Sequence, residues 1–114
     1  MTQPLLPKLA RIVEARLGPE DHGVLTAMLT LQYDDGGMQG AGGYDLRHGN
    51  AAARFIEGVL RVCNVLEWSK IPNHMIYALI EGQGLHAPVR GIKQLGMDGD
   101  RTFLFADIYE KESV

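Results

Sequence analysis

The residues best suited to chemistry are Glu20-Asp21-His22-Gly23, where two carboxylates stand beside an imidazole. A neutral imidazole with carboxylates can ligate zinc and similar ions, and the same groups can act as an acid–base pair. The competing reading is a polar turn in which the Asp21 side chain accepts hydrogen bonds from backbone N–H groups. Ligand spacing favours the turn, because His48, His74 and His86 are each isolated and no His-x-His or His-Glu-x-x-His pattern occurs. A second candidate runs from Asp34 to Tyr44, where Gly36, Gly37, Gly40, Gly42 and Gly43 could bring backbone N–H groups up to an anion. It lacks the terminal lysine and Ser or Thr of a phosphate loop, and Gly37, Gly40 and Gly42 miss the dinucleotide spacing. Asp34 and Asp35 would also repel a phosphate, so this segment reads as a glycine-rich hairpin with a bulge.

Nucleophile chemistry finds little support. Cys63 is the only cysteine and falls on the apolar face of a helix, which reads as a small core residue; a disulfide or a cysteine-based zinc site within one chain is excluded. The two serines, Ser69 and Ser113, lie in no Gly-x-Ser-x-Gly elbow. The residues therefore point to no catalytic group, no metal and no cofactor. The candidates for contact with a ligand or partner are Asp21, His22, Tyr33, Asp34, Asp35, Gln39, Gly40, Gly42, Gly43 and Tyr44.

The elements that must position these groups follow from hydrophobic periodicity. Leu9, Ile12, Val13 and Leu17 recur at helical spacing between Pro7 and the stop Gly18-Pro19, predicting an amphipathic helix. Alternation from Val24 to Tyr33 predicts a strand, Asp34-Asp35-Gly36-Gly37 a turn, and Met38 to Leu46 an irregular returning strand. A second helix is expected from about Asn50 to Cys63, with Phe55, Ile56, Val59, Leu60 and Cys63 inward, Asn50 as N-cap and Asn64 as left-handed C-cap. Trp68 is expected to plug one end of the core. Three strands complete the chain: His74 to Glu81, Pro88 to Leu95 and Arg101 to Tyr109, separated by Gly82-Gln83-Gly84 and Met97-Asp98-Gly99-Asp100. The last is apolar on both faces at Phe103 to Ala106, as in a central strand or an oligomer contact. The expected fold is a two-layer α+β domain, a small mostly antiparallel sheet of four to five strands with two helices on one face.

Composition bounds the rest. The 114 residues are 46% hydrophobic and 22% charged, as in one globular domain. Fourteen glycines exceed the usual share, and five of them fall between Gly36 and Gly43. A net charge of −3 argues against general nucleic-acid or anionic-membrane binding. No apolar run of about 18 residues exists, and Met1 to Pro7 has no signal-peptide character, so a cytosolic protein is expected. Leu17 to Leu46 holds five acids and no Lys or Arg, predicting an acidic rim that can dock on a basic partner.

Leu17-Gly18-Pro19-Glu20-Asp21-His22-Gly23-Val24-Leu25-Thr26, Leu29-x-Leu31-x-Tyr33 and Gln39-Gly40-Ala41-Gly42-Gly43-Tyr44 together resemble a family of short uncharacterised proteins of bacteriophage and prophage genomes. The likeness continues through Leu60 to Val65 and Trp68 and covers roughly residues 17 to 95. It implies a phage accessory protein in the bacterial cytoplasm and transfers no catalytic residues or cofactor. Relatives carry a longer insertion after Gly-Gly-Tyr, whereas here Tyr44 reaches the helix at Asn50 within a few residues. The function expected is binding to another protein, in the manner of an anti-CRISPR inhibitor of host defence. The alternatives are a small metal- or ligand-binding domain or enzyme with its site at 20–23 and 36–44, and a homodimer with a structural role.

Overall fold

The computed structural model describes residues 5–19, 23–42, 45–82, 87–96 and 101–109. The chain is α+β, with strands β1 (Leu5–Pro19), β2 (Leu25–Tyr33), β3 (Met38–Gly42), β4 (Met75–Glu81), β5 (Val89–Gln94) and β6 (Thr102–Leu104), and one α-helix, α1 (Ala51–Cys63). They form a six-stranded sheet in the order β3-β2-β1-β4-β5-β6, every neighbouring pair antiparallel. Among the described residues the sheet is thus larger than the four to five strands expected, and it carries one α-helix where two were expected.

The extra strand is the segment expected to be the first helix. Residues 5–11 of β1 pair with β4, and residues 10–19 pair with β2. Only the middle of this long strand is flanked on both sides, and a register shift between Ile12 and Glu14 marks a bulge. The bulge shifts the inward side chains by one residue, so Ala10 and Ile12 are buried before it and Ala15 packs against the core after it. This broken alternation resembles helical spacing. Pro7 is accommodated where β1 has a strand on one side only.

The remaining elements follow expectation more closely. α1 buries Phe55, Gly58, Val59, Val62 and Cys63, a face turned somewhat away from Ile56 and Leu60. The rotation has a steric cause: Gly58 lies under Phe103, whose ring atoms would stand 2.6 to 2.8 Å from a Cβ at that position. Asn50 occupies the N-cap but makes no side-chain capping bond, while Asn64 ends the helix in the left-handed conformation at φ 56°. Phe55, Phe103 and Phe105 form a three-ring cluster with centroids 5.5 to 5.7 Å apart. The segment expected as the last strand splits. Thr102–Leu104 pairs as the three-residue edge strand β6, and Phe105–Tyr109 turns into a 3₁₀ helix that brings Phe105 and Ile108 into the core. It is therefore not a central strand. The expected turns at 83–84 and 97–100 lie outside the described residues.

The sheet is strongly coiled. The Gln39 side chain on β3 donates to the Ala87 carbonyl just before β5 at 2.9 Å. In a flat sheet those strands, four spacings apart, would be about 19 Å from each other. The concave face holds α1 and the core, and Trp68 seals one edge by donating its indole N–H to the Ala15 carbonyl at 3.2 Å.

Candidate functional site

Of the groups singled out by sequence, Tyr33, Asp34, Asp35 and Gln39 occupy the β2–β3 turn end, and Gly42 pairs with Met28 further along β2. Met28 and Tyr33 are five strand residues apart, about 17 Å.

At the turn end the groups bind one another. The Tyr33 hydroxyl donates to Gln39 Oε1 at 2.6 Å, and Gln39 passes the connection to Ala87. Lys8 Nζ lies 4.2 Å from the centre of the Tyr33 ring and 3.8 Å from Asp35 Oδ2. Asp35 Oδ1 accepts the Gly37 N–H at 2.8 Å, an Asx-type closure of the turn. Burial, reinforced by the Asp35 charge, pushes the Tyr33 phenol above its ordinary pKa, so it stays a neutral donor. Lys8 offsets part of the acidic rim, and the arrangement fastens the mouth of the coiled sheet. Among the candidate residues here, only Asp34 projects without a structural partner.

Gly40 and Gly42 have packing reasons. A Cβ at Gly40 would meet Met28 Sδ at 3.1 Å. Gly42, at φ +101°, would bring one to 2.7 Å from the Ala27 carbonyl and 3.1 Å from the Phe55 ring. A left-handed conformation in so tight a place requires glycine. Gly42 thus lets Phe55 of α1 approach the sheet, the close backbone approach that glycine-rich strands signal.

The β1–β2 end holds a concavity of about 530 Å³. Its floor follows from the register: Gly18 is opposite Thr26, and Arg16 is opposite Met28 on the next rung of the same face. Leu17, Pro19 and Val24 supply apolar wall, and Asp45 closes one side. Asp45 accepts the Arg47 backbone N–H at 3.0 Å and two Arg47 guanidinium N–H groups at 2.9 Å, with His48 3.4 Å away. These hydrogen bonds hold its carboxyl well below the usual carboxylate range. The Thr26 hydroxyl donates to the Val24 carbonyl at 2.9 Å. Arg16 makes no hydrogen bond or ion pair among the described residues.

Asp21, His22, Gly43 and Tyr44 lie outside the described residues. Of the described residues near them in sequence, Pro19, Val24 and Asp45 line this concavity, whereas Gly23 and Gly42 do not. Arg16 and Met28 were not singled out in advance. Their shared face becomes visible only when residues 5–19 are read as a strand paired with β2. Among the described residues no cluster of three His, Cys, Asp or Glu side chains could hold a metal ion, and no helix is long and apolar enough to cross a membrane. Cys63 is buried, as expected, with its thiol pushed up to about 11 by desolvation. Compared with known proteins, the chain matches no family model, and neither a curated protein nor a solved structure is similar to it.

Proposed function

We propose that the protein acts by binding another protein through the face of the sheet opposite α1, as an accessory factor of phage or prophage origin in the bacterial cytoplasm. The observation that carries this reading is the placement of methionine. Met75, Arg11, Gln32 and Met38 form one continuous rung across β4, β1, β2 and β3, and Met28 lies on the same face. The three methionines are 37% to 59% exposed. Unbranched, polarisable thioethers adapt to irregular partner surfaces, and exposed apolar groups gathered on one face mark contact sites. At the centre of the rung Arg11 donates to Gln32 at 2.7 Å, giving the patch a cationic, oriented middle. Interruption of a host defence component is the role that best suits a small binding protein of phage origin.

The test compares the native chain with Met38→Glu/Met75→Glu in affinity capture from host lysate and in phage growth on defence-competent cells. The expected result is a captured protein and a growth advantage that both vanish in the variant at unchanged melting temperature. Glu57→Gln, exposed on α1 on the other side of the sheet, should retain both. Equal capture by the native chain and the face variant would overturn the reading, as would a native homodimer that the same substitutions split, since a second copy would then cover the face.

A further inference from the structure

We propose that the concavity at the β1–β2 end binds a small monocarboxylate bearing a short apolar chain, with Arg16 as the anion-binding group. This site lies on the same sheet face as the methionine rung and shares Met28 with that patch, but its argument does not depend on the protein-binding reading.

The chemistry follows from what lines the space. Its volume of about 530 Å³ is that of a small-molecule pocket, and most of the surrounding wall is apolar through Leu17, Pro19, Val24 and Met28. The Thr26 hydroxyl proton is committed to the Val24 carbonyl. Arg16 is left as the cationic donor, with no described partner competing for its guanidinium, whose planar fork matches a carboxylate. Asp45, also in the lining, is already paired with the Arg47 guanidinium, so Arg47 offers no second free cation. One free guanidinium beside an apolar wall favours a monoanion with an apolar chain over a strongly hydrated phosphate dianion.

Gly18 supplies the room. Nothing lies within 4 Å of where its Cβ would be, and its φ is outside the left-handed region. A side chain there is tolerated by the fold and projects into the floor opposite Thr26. The concavity thus has a floor made by smallness at Gly18 and a positive charge supplied by Arg16.

The experiment is calorimetric and NMR titration of the whole chain with hexanoate, acetate, hexanamide and inorganic phosphate. Hexanoate should bind at one site, at least about tenfold tighter than acetate through its added methylenes. Hexanamide and phosphate should not bind. Arg16→Gln should weaken hexanoate at least about tenfold, the equivalent of losing one charge-assisted contact. Gly18→Val should abolish binding at an unchanged melting temperature, and Arg11→Gln, on the same face but outside the concavity, should leave it intact. Hexanoate binding unaltered in both Arg16→Gln and Gly18→Val would overturn the proposal. So would equal affinity for hexanamide, preference for phosphate, or no binding by any of the four probes.

Discussion

Replacing Gly58 with alanine sets two physical effects against each other, and the structure decides between them. Gly58 lies inside α1, where alanine is favoured over glycine by about 0.8 to 1.0 kcal/mol on helix propensity alone. The added methyl, however, would stand 2.6 Å from Cγ and Cδ1 of Phe103 and 2.8 Å from Cδ2, all of them ring atoms. Restoring an ordinary contact of 3.4 Å requires the ring to move by about 0.8 Å in a close-packed interior. Phe103 has no room to do so, since it is 4% exposed and packs edge-on against Phe55 at 5.6 Å and Phe105 at 5.5 Å. Overpacking of this kind costs about 1 to 3 kcal/mol, and a ring held by two others belongs in the upper half of that range. Subtracting the propensity gain leaves a net destabilisation of about 1 to 2 kcal/mol. Urea denaturation should show this as a lower midpoint at constant slope, and melting should fall by about 4 °C per kcal/mol. In a Phe103→Ala background the same substitution should become stabilising by up to about 1 kcal/mol, because the obstacle is gone and only propensity remains. A stabilising Gly58→Ala in the native background, or the same effect in both backgrounds, would refute the reasoning.

Three further outcomes follow from the site geometry. Tyr33→Phe removes the hydroxyl from Gln39 Oε1 and should cost about 1 kcal/mol by denaturation, with faster amide exchange at β3, because the Gln39 tie to Ala87 loses its anchor. Cys63 should resist alkylation in the native state at pH 8 and react only as fast as the chain opens. Its folded pKa, raised by burial from 9.0 to about 11, means the unfolded chain loses the proton first, so stability should decline as pH rises from about 9 through 11. The Asp45 carboxyl should remain ionised well below pH 4 in a carbon-detected NMR titration, and Arg47→Gln should return it to the ordinary range near 4.

The legible parts of the fold were those whose neighbours are close in sequence. β2, the β2–β3 turn, α1 and the Asn64 cap are each written in local periodicity and capping residues, and they are found within a few positions of expectation. β1 reads as a helix in sequence because its burial is imposed by two different strands over two different stretches, with a bulge at the change of partner. Leu9, Ile12 and Leu17 then look helical although no helix forms. The same distance effect hides the short β6: Phe103 and Phe105 are both drawn inward by Phe55, forty-eight or more residues earlier, and no local alternation announces that the strand ends between them. For the candidate site, glycine in a strand implies a close approach, and Gly42 makes one, against Phe55. Arg16 escaped notice because a residue on a supposed helix has no cross-strand neighbour.

The stagger of β1 also explains why a concavity exists where it does. A strand flanked along its whole length would place a third strand beside residues 15–19 and stiffen that corner. Here β4 stops pairing at Arg11 and its approach, at His74 and Asn73, reaches only Ile12. Beyond that point this edge of β1 is covered by Trp68 at Ala15, and past the Arg16–Met28–Gly42 rung the β1–β2 pair continues to Pro19 and Leu25 as a two-stranded projection. Leu46 returns to the Leu25 carbonyl at 2.9 Å and leads the Asp45-Arg47 pair alongside it. A two-stranded ribbon twists more than the interior of a sheet. This projection, with Gly18 and Thr26 as its small rung, therefore bends away from the plane and leaves space between itself and the returning chain. A substitution that loosens the Trp68 seal, such as Trp68→Phe, should therefore perturb amide signals of Arg16 to Gly18 more than those of the distant β2–β3 turn. Equal perturbation at both ends would show that the projection is not governed by the seal.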